Sequence, residues 1–225
     1  MLIAALVSAL AVTASAPSPW ACDLAPSFGQ GSADEGHINS ISSLAFGCRY
    51  ELLNVVGIGL SPVVGIDKQL WSVYEKSDSN KNLSSYEAQN FNFGVRLDRP
   101  VSGSAKIFYS LMAGQGNGTL NLTQSTEQSS LNSRYSKLKN NYIQHSLGAS
   151  YGVTERLSLS LAFQRMSARQ SWSVDNGSIL LQNVDEENHL TLSEGVTALV
   201  GSPVRTSSKS DTNLIQLGVS FNFSK

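Results

Sequence analysis

The 225-residue sequence is poor in charge: Asp, Glu, Lys and Arg make up 15% of it, against roughly 25% in an ordinary soluble domain. Its 16 basic and 17 acidic residues leave a net charge of −1, so it lacks the basic patch or stripe by which proteins hold nucleic acid. It also lacks the one-sided charge of a disordered chain, and 8% of its residues are aromatic. Beyond about the first 14 residues no apolar run approaches the roughly 18 that a membrane helix needs. Cysteine occurs only at Cys22 and Cys48. His37, His145 and His189 stand at no ligand spacing from them, so a metal site of the usual closed set of Cys and His ligands is not expected. What fills the space left by charge is serine, 37 residues of it, with Asn, Gln and Thr behind.

Residues 1–16, MLIAALVSALAVTASA, form an apolar stretch followed by small residues. That is the pattern of a secretory signal, hydrophobic region first and cleavage region after. Both 12–14 and 14–16 fit the small-x-small rule, while Pro17 disfavours a cut directly after Ala16. The pair Ala21-Cys22 leaves a second export signal open, one in which Cys22 would be acylated. In an exported chain two cysteines suggest one disulfide. A polar, charge-poor, exported chain is a secreted β protein or an outer-membrane β-barrel.

Strict alternation separates these two. Residues 213–223 read NLIQLGVSFNF: Ile215, Leu217, Val219, Phe221 and Phe223 take one face, Gln216, Gly218, Ser220 and Asn222 the other. Period two means a strand. The pattern recurs at 157–163 (LSLSLAF), 107–113, 90–98, 56–66, around Leu147, Ala149 and Tyr151, and around Leu44, Phe46 and Tyr50. A soluble sandwich would need its second strand face charged and solvated, and Gly and Ser stand there instead. The connections alternate in length: short turns at 51–54, 99–103 and 152–155, long polar stretches at 69–88, 114–140 and 170–212. Short turns on one side and long loops on the other are the signature of a transmembrane barrel.

Such single-chain barrels have an even strand number with both ends on the periplasmic side. The eighth strand is therefore expected at 23–30 (DLAPSFGQ), with a short loop 31–39 leading into the strand that ends at Tyr50. This puts Cys22 and Cys48 at the periplasmic ends of antiparallel neighbours, where a cross-strand disulfide fits. The expectation is an all-β, eight-stranded, antiparallel up-and-down transmembrane barrel over residues 22–223. Its inward faces carry Arg49, Arg96, Asp98 and Lys106. Buried charges must be paired, so these read as an internal salt-bridge network, and an interior this narrow is filled by side chains. A narrow solute channel is the lesser reading of the same charges.

The ending LGVSFNF, the turn-and-strand GVTERLSLSL and the loop pattern resemble small bacterial outer-membrane β-barrel proteins. The resemblance implies a bacterial outer-membrane location, lipid and lipopolysaccharide around the wall, a monomer, no cofactor, and a terminal Phe read by the barrel-assembly machinery. Phe223 would take that role, although Ser224 and Lys225 follow it. The stretches SFGQG and AFQRMSA also look like the layout of outer-membrane lipid A deacylases, which carry His-x-Ser on a late strand. Here Arg165-Met166-Ser167 stands at that place, and arginine stays protonated, so it cannot serve as the base. His145-Ser146 is an adjacent His/Ser pair, but neighbouring strand residues point to opposite faces. The expected function is structural or surface-interacting, through long outer loops and without catalysis. Acyl hydrolysis of lipid A is the alternative.

Overall fold

The computed structural model describes residues 20–34, 36–76, 81–125, 130–172, 179–182 and 207–223. The expected signal segment 1–16 lies outside them, as do His189 and most of the last long loop. The described elements are all strands. In chain order they are β1 (Trp20–Ala33), β2 (Gly36–Arg49), β3 (Leu53–Val55), β4 (Ile58–Lys76), β5 (Lys81–Ser102), β6 (Ala105–Ser125), β7 (Ser130–Gly152), β8 (Leu157–Trp172), β9 (Ile179–Gln182) and β10 (Ser207–Phe223).

Eight of these strands close on themselves. Each long strand pairs antiparallel with the next, and β10 returns to β1 with Trp20 opposite Phe223 and Ala33 opposite Ser210. Closure leaves no sheet edge among the eight, which is what a strand structure needs where no water is at hand to bond its backbone. Pro26, without an N–H, sits at mid-strand, and the β1–β10 register skips Ala25 and Pro26 before resuming at Ser27. The disulfide Cys22–Cys48 is formed, between residues directly opposite in the β1–β2 register with Cα atoms 4.0 Å apart. The cystine sits on the outer side of the wall: Ala21 and Ala25, of the opposite parity on β1, are buried inside.

The structure corrects several sequence-based bounds. The turn expected at 51–54 contains the short strand β3, which forms a hairpin with Ile58–Leu60 around Val56 and Gly57, both at positive φ. The strand expected from residue 56 therefore starts at Ile58. The loop expected at 31–39 is mostly strand, with β1 and β2 meeting at Ala33 and Gly36.

The largest correction concerns the long loops. Most of 69–88 and 114–140 is strand: β4 and β5 pair up to Lys76 and Lys81, and β6 and β7 up to Ser125 and Ser130. Where their side chains are described, these stretches turn large apolar residues inward, at Trp71, Val73, Tyr86, Leu120 and Leu138. In the lower part of β5 the apolar residues Phe91, Phe93, Val95 and Leu97 are exposed and Asn90, Asn92 and Arg96 are buried. Higher up, Tyr86 and Ala88 are buried and Gln89 is exposed. The barrel is inside-out below and has an ordinary hydrophobic core above. β4 to β7 run 19 to 23 residues each, against the 9–11 or so that cross a bilayer, so they form a tall wall beside the 14-residue β1 and β2.

Candidate functional site: the barrel interior and its outer wall

The interior is layered. At the short-turn end Arg49 Nη1 hydrogen-bonds Asp23 Oδ2. Arg96 donates to Asp98 from Nε at 2.9 Å and from Nη2 at 2.8 Å, and its Nη1 lies 4.0 Å from Asp23. The Arg96 guanidinium also stands 3.7 Å above the ring centroid of Phe108, and the Ser220 hydroxyl donates to Asp23. β1, β2, β5 and β10 thus converge on one ion cluster. Of the four charges expected inside, Arg49, Arg96 and Asp98 are in it. Lys106 is not: it is exposed at the mouth, beside Glu51 and Asp98. The parity of its strand points it inward, but it stands one residue after the β6 start, beyond the enclosed section. Asp23, which supplies the bridging carboxylate, was not singled out in the sequence because nothing local distinguishes it. Its partners lie 26 and more residues away.

Above the ion cluster is a polar chamber of about 100 Å³ lined by Ser27, Ser110, Gln144, Ser146 and Gln164 among others. It has room for a few waters and none for a sugar. The buried Ser27 Oγ has no partner among the protein groups and borders this chamber.

A second polar layer closes the chamber. The buried carboxylate of Asp67 accepts from Tyr142 Oη at 2.6 Å, Asn92 Nδ2 at 3.0 Å and Asn90 Nδ2 at 3.1 Å. The network continues from Asn140 Nδ2 to Asn90 at 3.0 Å and to Gln69 at 3.1 Å, then from Gln170 to Asn140 and Ser210. Satisfying these groups is what makes the layer tolerable in a low-dielectric interior. Over it sits the apolar core: Ile38, Ile41, Trp71, Val73, Leu120, Leu138, Met166 and Leu214 with Tyr86 and Trp172. Trp71 and Tyr86 stack with parallel rings at 5.0 Å, and Trp172 meets Tyr86 edge-on at 6.3 Å. The lumen is therefore obstructed three times, by ions, by amides and by packed rings.

The outer wall carries the opposite chemistry. Leu24 and Phe28, Phe46, Val64 and Ile66, Phe91 to Leu97, Ile107 to Leu111, Leu147, Leu159 to Phe163, and Ile215, Leu217, Phe221 and Phe223 are exposed on their outward positions. They make a continuous apolar belt around a closed barrel, and a face of this size and extent is explained only by lipid. Trp20 and Tyr50, at 5.2 Å between ring centroids, mark its lower margin. The chain is a transmembrane β-barrel. Its class is the eight-stranded barrel of bacterial outer membranes.

No family model matches the sequence, and no curated protein matches it. Among solved structures it is similar to Neisserial surface protein A, at 10% identity and a TM-score of 0.48 over 93% of this chain and 100% of the other. It is also similar to the outer membrane protein OprG from Pseudomonas aeruginosa, at 11% identity and 0.46 over 93% and 98%. A third is Ail, the attachment invasion locus protein of Yersinia pestis, at 10% and 0.41 over 92% and 99%. Identities this low bear on no activity.

Among the residues weighed for acyl hydrolysis, no histidine is hydrogen-bonded to a serine. Ser146 points into the lumen and is buried, while His145 points outward, with Nδ1 2.7 Å from the Tyr109 hydroxyl. Ser167 is also outward, and its hydroxyl is held by Asp211. His145 lies opposite Arg165 in the β7–β8 register and bonds toward β6, away from Ser167. Among the described residues no group of three or more His, Cys, Asp or Glu side chains could hold a metal ion. The Ser167–Asp211 and Tyr109–His145 pairs were missed in the sequence because each joins two strands.

Proposed function

We propose that this outer-membrane barrel has a structural or surface-interacting role, exercised above the membrane and without catalysis. The observation that carries this reading is the inversion of polarity. The strands continue past the lipid belt as a second, soluble-type barrel with its own core, so much of the protein's ordered mass is presented outside the bilayer. The triple obstruction of the lumen argues against a solute channel. His145 and Ser146 point to opposite sides of the wall, and the Ser167 hydroxyl is donated to Asp211, which argues against a serine hydrolase. The partners of the wall are outer-membrane lipid and lipopolysaccharide, and the protein is a monomer. Phe223, exposed at the end of β10 and opposite Trp20 at the closing seam, is the residue offered to the barrel-assembly machinery.

Mass spectrometry of lipid A from cells with and without overexpressed protein tests the absence of catalysis, after a heat-shift gel has shown a folded barrel. An unchanged spectrum supports the reading, and a lost acyl chain overturns it. Planar bilayers test the lumen: no steady current is expected, and a steady conductance would instead favour the channel. Deleting 173–206 tests the surface role, since binding to target surfaces should fall while the heat shift persists.

A further inference from the structure

We propose that the outer wall formed by β7, β8 and β10 holds the phosphorylated sugar headgroup of lipopolysaccharide, through Lys139, Arg165, Arg169 and Lys209. This rests on the membrane placement above. These four cations are exposed and lie on outward positions, starting with Arg165 immediately above the belt residue Phe163. Arg169 and Lys209 are directly opposite in the β8–β10 register. Like charges in that relation repel, and a sheet that keeps them gains if an anion sits between. Among the described residues none of the four is in an ion pair. At the same height on the other side of the barrel the arrangement differs: Lys68 is neutralised by Glu87 at 2.8 Å.

The surroundings suit a sugar bearing more than one phosphate. Arg165 and Arg169 are four residues apart on β8, roughly 13 Å at the usual strand rise, too far for one phosphate to bridge. Asn141 stands opposite Arg169, and Asn213 opposite Arg165. These amides offer donors and acceptors to hydroxyl groups, and the Asp211 carboxylate between the two rungs, which already accepts from Ser167, offers acceptors alone. Two shallow grooves meet at Asp211: one of about 490 Å³ holds Arg169 and Lys209, the other of about 780 Å³ holds Arg165 and Asn213. Acyl chains below would lie on Leu147, Phe163 and Ile215, which are 57–65% exposed.

The test uses the full-length barrel in detergent and fluorescently labelled lipopolysaccharide as the probe. Wild type should bind it at least about tenfold more tightly than phosphatase-treated lipopolysaccharide or phosphatidylglycerol, the span of one or two charge-assisted contacts. The variant Arg165→Gln/Arg169→Gln/Lys209→Gln should lose that preference, while Lys68→Gln keeps it. If the triple variant fails the heat-shift gel, Arg169→Gln alone should still weaken binding by about threefold or more. A folded triple variant that binds like wild type overturns the proposal, and so does equal binding of phosphatidylglycerol. Either result would leave the membrane reading intact, because the heat shift reports on that separately.

Discussion

Tyr142 and Asp67 are 75 positions apart in the chain and meet inside the barrel, hydroxyl to Oδ1, at 2.6 Å. The contact depends on a glycine. A Cβ at Gly114 would lie 2.1 Å from the Tyr142 ring, so only glycine at that point of β6 lets the ring lie across the lumen. Tyr142→Phe leaves Asp67 with its two asparagine donors and should cost about 1–3 kcal/mol. Gly114→Ala should cost at least as much, by driving the ring off the carboxylate. Urea unfolding in lipid vesicles, followed by tryptophan fluorescence, measures both. A Gly114→Ala barrel as stable as wild type would contradict this account of the layer.

The Arg96–Asp98 pair predicts an asymmetry. Arg96→Ala strands a largely buried carboxylate and should destabilise the barrel by about 3–5 kcal/mol. The double variant Arg96→Ala/Asp98→Ala removes both charges and should be the more stable of the two. If the double variant unfolds at lower urea than the single, the cluster is held by something other than this pairing.

The inverted polarity is open to a direct comparison. Leu161→Arg places a charge on the lipid face and should cost about 2–4 kcal/mol near the bilayer midplane. Gln115→Arg, exposed and outward on β6 at the upper margin of the belt, opposite Phe91, should cost about 0–1 kcal/mol, the cost near an interface. Leu138→Ala, in the upper core, should cost about 2–5 kcal/mol, as a cavity does in a soluble protein. Equal penalties for Leu161→Arg and Gln115→Arg would mean that the belt does not end where the side chains say it does.

Cys22→Ser/Cys48→Ser tests the cross-strand link. The bond joins residues 26 positions apart, and its loss should lower unfolding stability by about 2–4 kcal/mol. Wild type treated with reductant should match the double variant. If reductant shifts both proteins alike, the link contributes nothing to stability.

Alternation made the lower strands legible in the sequence, because which side of a strand a residue occupies is a local property, set by parity alone. LSLSLAF and NLIQLGVSFNF show their lipid faces without reference to any other segment. The same parity ran on through 69–88 and 114–140, yet those stretches read as loops, because the expected sign, apolar outward, had reversed. Trp71, Tyr86, Leu120 and Leu138 are scattered along the sequence and become a core only when four strands bring them to one height. Arg49, Arg96 and Asp98 were visible as inward charges, whereas Asp23 and Asp67 were not, since a carboxylate's role depends on which strands face it across the lumen. The fold class, the lipid-facing side and the cystine followed from residue order and alternation, which act over a few positions. The layering of the interior, the height of the outer wall and the bridging of Arg49 and Arg96 by Asp23 were decided by register and closure, which couple residues far apart in the chain.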